Sequence, residues 1–383
     1  ETLSNGACSL SEGNDRLTLS CLMDIDENGR ITRHRIVKSI IRSKHRMTYT
    51  DVNAMFGGDE KLINKYEDIY GELSEMRVLA ELLRKRREEK GSIDFEIEET
   101  AFSFDERGNV TGVGPRERGE AERLIEEFML AANMTVAEEY YWRGLPFVYR
   151  VHEQPDEDKI RAFAAFYSNF GKIKGKIDNI HPKTLQSILK DIKGTAHENI
   201  VNQIMLRSLK KAEYSPQCKG HFGLSFRYYC HFTSPIRRYP DLEVHRIIKM
   251  DKKGALTPKY LEALDGKVEE IAKQSSIRER VAMEAERAVD DIKKAEFMLG
   301  REGEEYDGVV SGVLKNVIFV ELDNTVEGVI PLSSLQDDYY VFNEKLYCII
   351  GERTRKKIAL GDEMRVRVAS VSAYPPRIEF EPA

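Results

Sequence analysis

The sequence predicts an α+β fold: mixed helices and hairpins through residue 299, then a small all-β barrel of OB type over 304–383. Three observations carry this. Helical periodicity and hairpin turns alternate as far as Leu299. From Glu304 onward only short period-two runs occur (YDGVVSGV, VIFVEL, VEGVIPL, EMRVRVASV, RIEFEP). And 383 residues, 41% hydrophobic and 9% aromatic, suffice for more than one core.

The elements follow in order. Residues 17–24 form an apolar strand, 26–29 an Asp-Glu-Asn-Gly turn, and 31–48 a long strand with alternating cations, so the pair is a hairpin. Tyr49 and Thr50 open a short helix, and 61–90 is one amphipathic helix stopped by Gly91. A second hairpin uses 93–104 and 110–113, turning at 105–108. The stretch 119–142 is helical, with Leu124, Phe128, Leu130 and Ala131 as its apolar stripe. A strand over 145–151 precedes helices at 156–170, 182–193, 197–211, 235–250 and 258–299. Residues 300–303 mark the boundary, and Gly361-Asp362 turns the chain into the fourth strand of the tail.

Composition excludes several classes. Cys8, Cys21, Cys218, Cys230 and Cys348 form no CxxC pair, which points to reduced thiols in a cytoplasm rather than a disulfide frame or zinc site. No run approaches the roughly 18 apolar residues of a membrane span, so no membrane partner is expected. The chain lacks an initiator Met and enters strand-like sequence at once, which reads as a start inside a domain. Its net charge is −6, yet residues 201–250 hold nine Lys/Arg against three Asp/Glu. A local positive surface can steer a polyanion; it can also merely solvate helix faces.

The densest motif is YYCHFTSPIRRYPDLEVHR at 228–246. Thr233-Ser234-Pro235 suits a helix N-terminus, with Arg237 and Arg238 in its first turn, where cations oppose the dipole. A phosphate would supply the missing charge, gripped by the guanidinium fork. The alternative is that both arginines pair with Asp241 and Glu243.

HFTSPIRRYPDLEVHR resembles the signature of the RNB ribonucleases, in its bacterial ribonuclease R branch. LSNGACSL, NDRLTLS, RMTYTDV, IDFEIEE, RLIEEFMLAAN, HFGL and MEAERAVDD agree in the same order. The resemblance covers most of 1–299 as an RNB domain lacking its N-terminal part, and the tail resembles an S1-type RNA-binding barrel. It implies a processive, Mg²⁺-dependent hydrolase that degrades RNA from the 3′ end to nucleoside 5′-monophosphates. Arg237 would contact the scissile phosphate and Glu286 the 3′-terminal nucleotide, as the catalytic pair. Phe95 would stack on the last base, and Tyr49 and Glu126 would line the channel. Tyr229, His231, Ser234, Arg238 and His245 would wall it. Read alone, Phe95 is also a plain strand residue and Glu286 a surface ion-pair member.

The family's metal-binding aspartates, DxxxxxDxDD, are expected upstream, so no metal ligand is assigned to this chain. Asp24, Asp26 and Glu27 read as turn residues, and Asp290 and Asp291 as ion-pair members. Alone the chain is expected to be inactive. Its expected partners are single-stranded or structured RNA with a 3′ end and the upstream segment. The alternative is a non-catalytic RNA-binding adaptor on the same scaffold. In the tail, Asn316 and Ile318 replace two rings usual in S1 barrels, and Pro331 a histidine. Phe319, Tyr339 and Tyr340 remain as base platforms, and the RTRKK run, with Arg353 and Lys356, as its phosphate contact. Fifteen Asp/Glu against ten Lys/Arg in 301–383 predict weak RNA binding there.

Overall fold

The computed structural model describes residues 1–93, 99–168, 170–173, 180–195, 198–343 and 348–383. Strands β1 (Asp15–Ile25) and β2 (Ile31–Arg42) form the expected antiparallel hairpin, though β2 stops at Arg42 rather than 48. Its turn is built by Asp26, whose Oδ1 accepts the amides of Asn28 and Arg30. Gly29 supplies the left-handed residue at φ +68°. Asp24 pairs with Arg33, so both aspartates serve the hairpin.

Helix α1 (Tyr49–Phe56) is capped by Thr48. The single helix expected over 61–90 is two, α2 (Glu60–Lys65) and α3 (Glu67–Lys90), parted at Tyr66. The physical reason is burial: Tyr66 leaves helical geometry (φ −118°, ψ 32°) with its ring in a core of Val52, Met55 and Ala121. Gly91 ends α3 in the left-handed region, as its position predicts. Strands β3 (Thr100–Phe104) and β4 (Val110–Pro115) pair around a turn capped by Asp105. Helix α4 (Glu120–Trp142) is the central element, burying Leu124, Leu130, Val136 and Tyr140.

Short strands β5 (Tyr149–Val151) and β6 (Glu213–Ser215) pair beside it. Helices α5 (Glu157–Tyr167), α6 (Pro182–Ile192) and α7 (Glu198–Ser208) gather on a further core, which includes Phe163, Leu185 and Met205 and also takes in Ile93, Phe222 and, from the tail, Leu360. Helices α8 (Tyr239–Lys252) and α9 (Pro258–Met298) follow. Buried residues of α9 sit at its two ends only: Leu264, Val268, Ile271 and Ala272 in the α4 core, Ala295 and Met298 in the barrel core.

The tail closes into a five-stranded barrel. Its strands are β7 (Glu305–Leu314), β8 (Val317–Leu322), β9 (Glu327–Pro331), β13 (Glu363–Ala373) and β14 (Pro376–Pro382), the five read from the sequence. Between the third and fourth lies a sheet the sequence did not reveal: β10 (Tyr340–Asn343), β11 (Cys348–Gly351) and β12 (Lys357–Ala359). Each strand is only three or four residues long, too short for a period-two signal. Among the described residues no helix is long and apolar enough to cross a membrane.

Candidate functional site

Helix α8 begins later than its sequence suggests. Ser234 does not cap it; the Ser234 carbonyl accepts the amides of Arg237 (3.3 Å) and Arg238 (3.0 Å), closing one isolated turn. Arg238 then takes extended backbone (φ −123°, ψ 118°) as the true N-cap, and Pro240 falls in the first turn, where its missing N–H costs nothing. Arg237 therefore stands outside the helix, so the opposition to its dipole expected from the sequence does not arise.

The two arginines part company here. Arg238 bonds the buried Asp241 at 2.8 Å, while Glu243 takes Arg246 (3.1 Å) and Lys267 (2.8 Å). Among the described residues the Arg237 side chain makes neither hydrogen bond nor ion pair, and it is exposed. Of the expected cations, it is the one left for an outside anion.

The turn is held from two sides. On α4, Asn133 is fully buried; its Oδ1 accepts the Phe232 amide (3.0 Å) and its Nδ2 donates to the Tyr229 hydroxyl (3.3 Å). On α8, Asp241 Oδ1 accepts the Ser234 amide (2.7 Å), and His245 Nε2 donates to the Phe232 carbonyl (2.8 Å). Neither Asn133 nor Asp241 was singled out as a site residue from sequence. An asparagine set among the apolar positions of α4 is the signal that could have found the first.

The rings behind the turn are support. Tyr229 is buried, and His231 Nδ1 lies 2.9 Å from the Tyr214 hydroxyl. His221 packs edge-on to Tyr229 (5.3 Å) and to His152 (5.1 Å). Burial, and then Arg238 and Arg150, push His231 down to about 2; burial, and then His152, push His221 to about 3. Burial lowers His245 as well and raises Tyr229 to about 12. All four are neutral at pH 7 and bring no charge to a phosphate.

Glu126 lies seven residues before Asn133, so it shares that face of α4 about 10 Å away; it pairs with Arg118. Tyr49 opens α1 and is exposed. One turn on, Asn53 ties α1 to α4 through Glu122 (2.9 Å) and the Ala121 amide (2.8 Å). Tyr49, Glu126 and the Arg237 turn are thus arrayed along α4. Phe95 lies outside the described residues; the described chain before it ends at Ile93, whose amide bonds the Gly223 carbonyl at 2.7 Å.

On α9, Glu279 bonds Arg150 (2.6 Å), whose guanidinium covers the Tyr214 ring at 4.6 Å. Glu286 lies two turns farther on the same face and is exposed. Asp290 and Asp291 make no ion pair among the described residues, contrary to expectation. Also among the described residues, no three His, Cys, Asp or Glu side chains gather as a metal site would require.

In the barrel, Phe319 lines a cleft of about 430 Å³ with Asp291, Lys294 and Arg377. Ile318 is buried in the core and Tyr340 is nearly so, its hydroxyl on Asp337, so Tyr340 offers no platform; Tyr339 is exposed. Arg353 donates to the Asp337 carbonyl (2.8 Å) and Lys356 approaches the Asp337 carboxylate (3.4 Å), so both cations are already engaged.

Comparison with known proteins gives the family and the fold. The family model described as RNB domain matches residues 1–253, and that described as S1 RNA binding domain matches 300–372. Ribonuclease R 1 of Lactococcus lactis is 43% identical over 382 residues, covering 100% of this chain and 47% of that protein. Mycoplasma genitalium RNase R in complex with ribose methylated single-stranded RNA superposes with a TM-score of 0.92 at 27% identity, covering 100% of this chain and 60% of the other. The same enzyme in complex with double-stranded RNA gives 0.84 at 25% identity, covering 100% and 63%. The chain spans about half the length of the curated relatives it matches. It belongs to the RNB domain family and carries an S1 RNA binding domain behind it.

Proposed function

We propose that this chain forms the RNA-channel half of a hydrolase that degrades RNA from the 3′ end to nucleoside 5′-monophosphates. The observation that carries this reading is the Arg237 turn: an exposed, unpaired guanidinium on a backbone clamped from α4 and α8. A planar fork so placed takes two phosphate oxygens at once and offsets the charge that grows on them in the transition state. Glu286, on the α9 face tied to the same ring network, stands beside the 3′-terminal nucleotide. Tyr49 and Glu126 mark the path along α4, and the Phe319 cleft receives RNA on the barrel side. The relatives solved with single- and double-stranded RNA support RNA as the ligand.

Mg²⁺ would supply the attacking hydroxide and polarise the phosphate. The described residues of this chain do not form its site, and the reading places its ligands in the upstream part of the domain. The test is direct. RNA labelled at its 3′ end is incubated with Mg²⁺ and either this chain or the chain joined to the upstream part. Immediate release of labelled mononucleotide by the joined protein only is the expected result. Binding without release by both would favour the adaptor.

A further inference from the structure

We infer that Asp241 is a positioning residue for the proposed reaction, acting through Arg237 rather than on the RNA. This rests on the reading above. Asp241 is fully buried, so it cannot meet a polymer in a channel. One of its oxygens, Oδ1, holds both ends of the Arg237 turn: the Ser234 amide at 2.7 Å and the Arg238 guanidinium at 2.8 Å. Those two residues bracket Pro235, Ile236 and Arg237, and the Ser234 carbonyl closes the turn on Arg238. The five residues from Ser234 to Arg238 are thereby fixed to one carboxylate oxygen. Arg237 is the member of that turn whose charge stays unmatched.

The arrangement is costly as packing. Asp241 Oδ2 and Arg238 Nε are buried without hydrogen-bond partners among the described residues. A buried ion pair with unsatisfied atoms does little for stability, and apolar residues of like volume often serve a fold better. Arg238 neutralises the buried carboxylate from within, and the neighbouring Arg237 guanidinium stays exposed.

The experiment is a double-mutant cycle in the chain joined to the upstream part of the domain, with Mg²⁺ and a 3′-labelled single-stranded RNA. Asp241→Asn is expected to lower kcat about tenfold to a hundredfold with KM within about twofold, the signature of a displaced rather than deleted group. Arg237→Ala lowers kcat further. The double variant should equal Arg237→Ala alone, because a positioning residue has nothing left to position. Multiplied losses in the double variant, or a loss confined to KM, would overturn the inference. Should Asp241→Asn not fold, Arg238→Lys, which keeps the charge and loses the fork, replaces it in the same cycle with the same two outcomes. An inactive wild type would instead overturn the functional reading, so the two failures are distinct.

Discussion

Arg237 and its neighbours show what a single residue's surroundings decide. Two adjacent arginines look equivalent in sequence; one is absorbed by a buried carboxylate and the other is not. In the chain joined to the upstream part of the domain, Arg237→Ala should therefore reduce hydrolysis about 10²-fold or more while weakening RNA binding by less than about fivefold, since one phosphate contact among many is lost. Turnover and filter-binding measured side by side check this, and equal losses would leave a binding role only. The histidines make a second prediction. His221 and His231 have native values of about 3 and about 2 against an ordinary 6.5. Below pH 6.5 the unfolded chain binds protons that the native state refuses. The stability they contribute is therefore whole above that pH and is lost as pH falls toward 3. The slope is about 1.4 kcal/mol per pH unit for each group kept neutral. Urea midpoints should drop steadily from pH 7 to 5, and His231→Gln should flatten the fall; an unchanged slope would refute it. The motif's wording made Arg237 legible. That Tyr229, His231 and His245 face inward was not, because ring burial depends on partners such as Tyr214 and Asn133 distant in sequence.

At the scale of elements, caps and turn chemistry were readable and tertiary interruptions were not. Thr48, Asp26, Gly91 and Asp105 do locally what their types dictate. Tyr66 breaks a continuous helical pattern because its ring is wanted in a core, and no local periodicity encodes that. The start of α8 falls several residues later for a similar reason: Asp241 takes the Ser234 amide and the Arg238 guanidinium and so holds the intervening turn outside the helix. The joint between α3 and α4 is another such contact. Arg87 and Glu127 are both buried and meet at 2.6 Å, with Ser92 on the guanidinium's other arm at 2.7 Å. Burial raises the Glu127 pKa even against that arginine. Arg87→Ala, stranding the carboxylate, should cost about 3–5 kcal/mol, whereas Arg87→Met with Glu127→Leu should come within about 1–2 kcal/mol of wild type. Chemical denaturation of the chain alone measures both. A double variant as unstable as the single one would show that the pair's value is in shape, not charge.

Across the whole molecule, α9 runs from one core to the other, beside direct contacts in which Leu360 of the tail joins the α5–α7 core and Thr100 bonds Thr325. From Lys273 to Lys294 none of its residues is buried, a span of about 33 Å. Its ends are anchored in different cores, and its sides are tied by Glu279 to Arg150 and by Lys294 to the Thr325 carbonyl (2.6 Å). A helix exposed all round through its middle is held by its own hydrogen bonds and its two anchors, so it acts as a strut. The sequence displayed it as a long run dense in Glu, Lys and Arg, but not that its middle carries no core. Asp291 and Lys294 line the Phe319 cleft, so a strut at this position would hold that cleft in register with the Arg237 turn. Ala285 sits near the centre of the exposed span, where proline removes one backbone bond and bends the axis at a cost of about 3 kcal/mol. Ala285→Pro should leave both cores folded, with near-ultraviolet dichroism unchanged. The radius of gyration from solution scattering should rise, and affinity for an RNA long enough to reach both halves should fall. A short oligonucleotide confined to one half should bind as before. If scattering and long-RNA affinity both stay at wild-type values, α9 is not what aligns the halves, and contacts such as Thr100 with Thr325 at 2.9 Å carry the register instead.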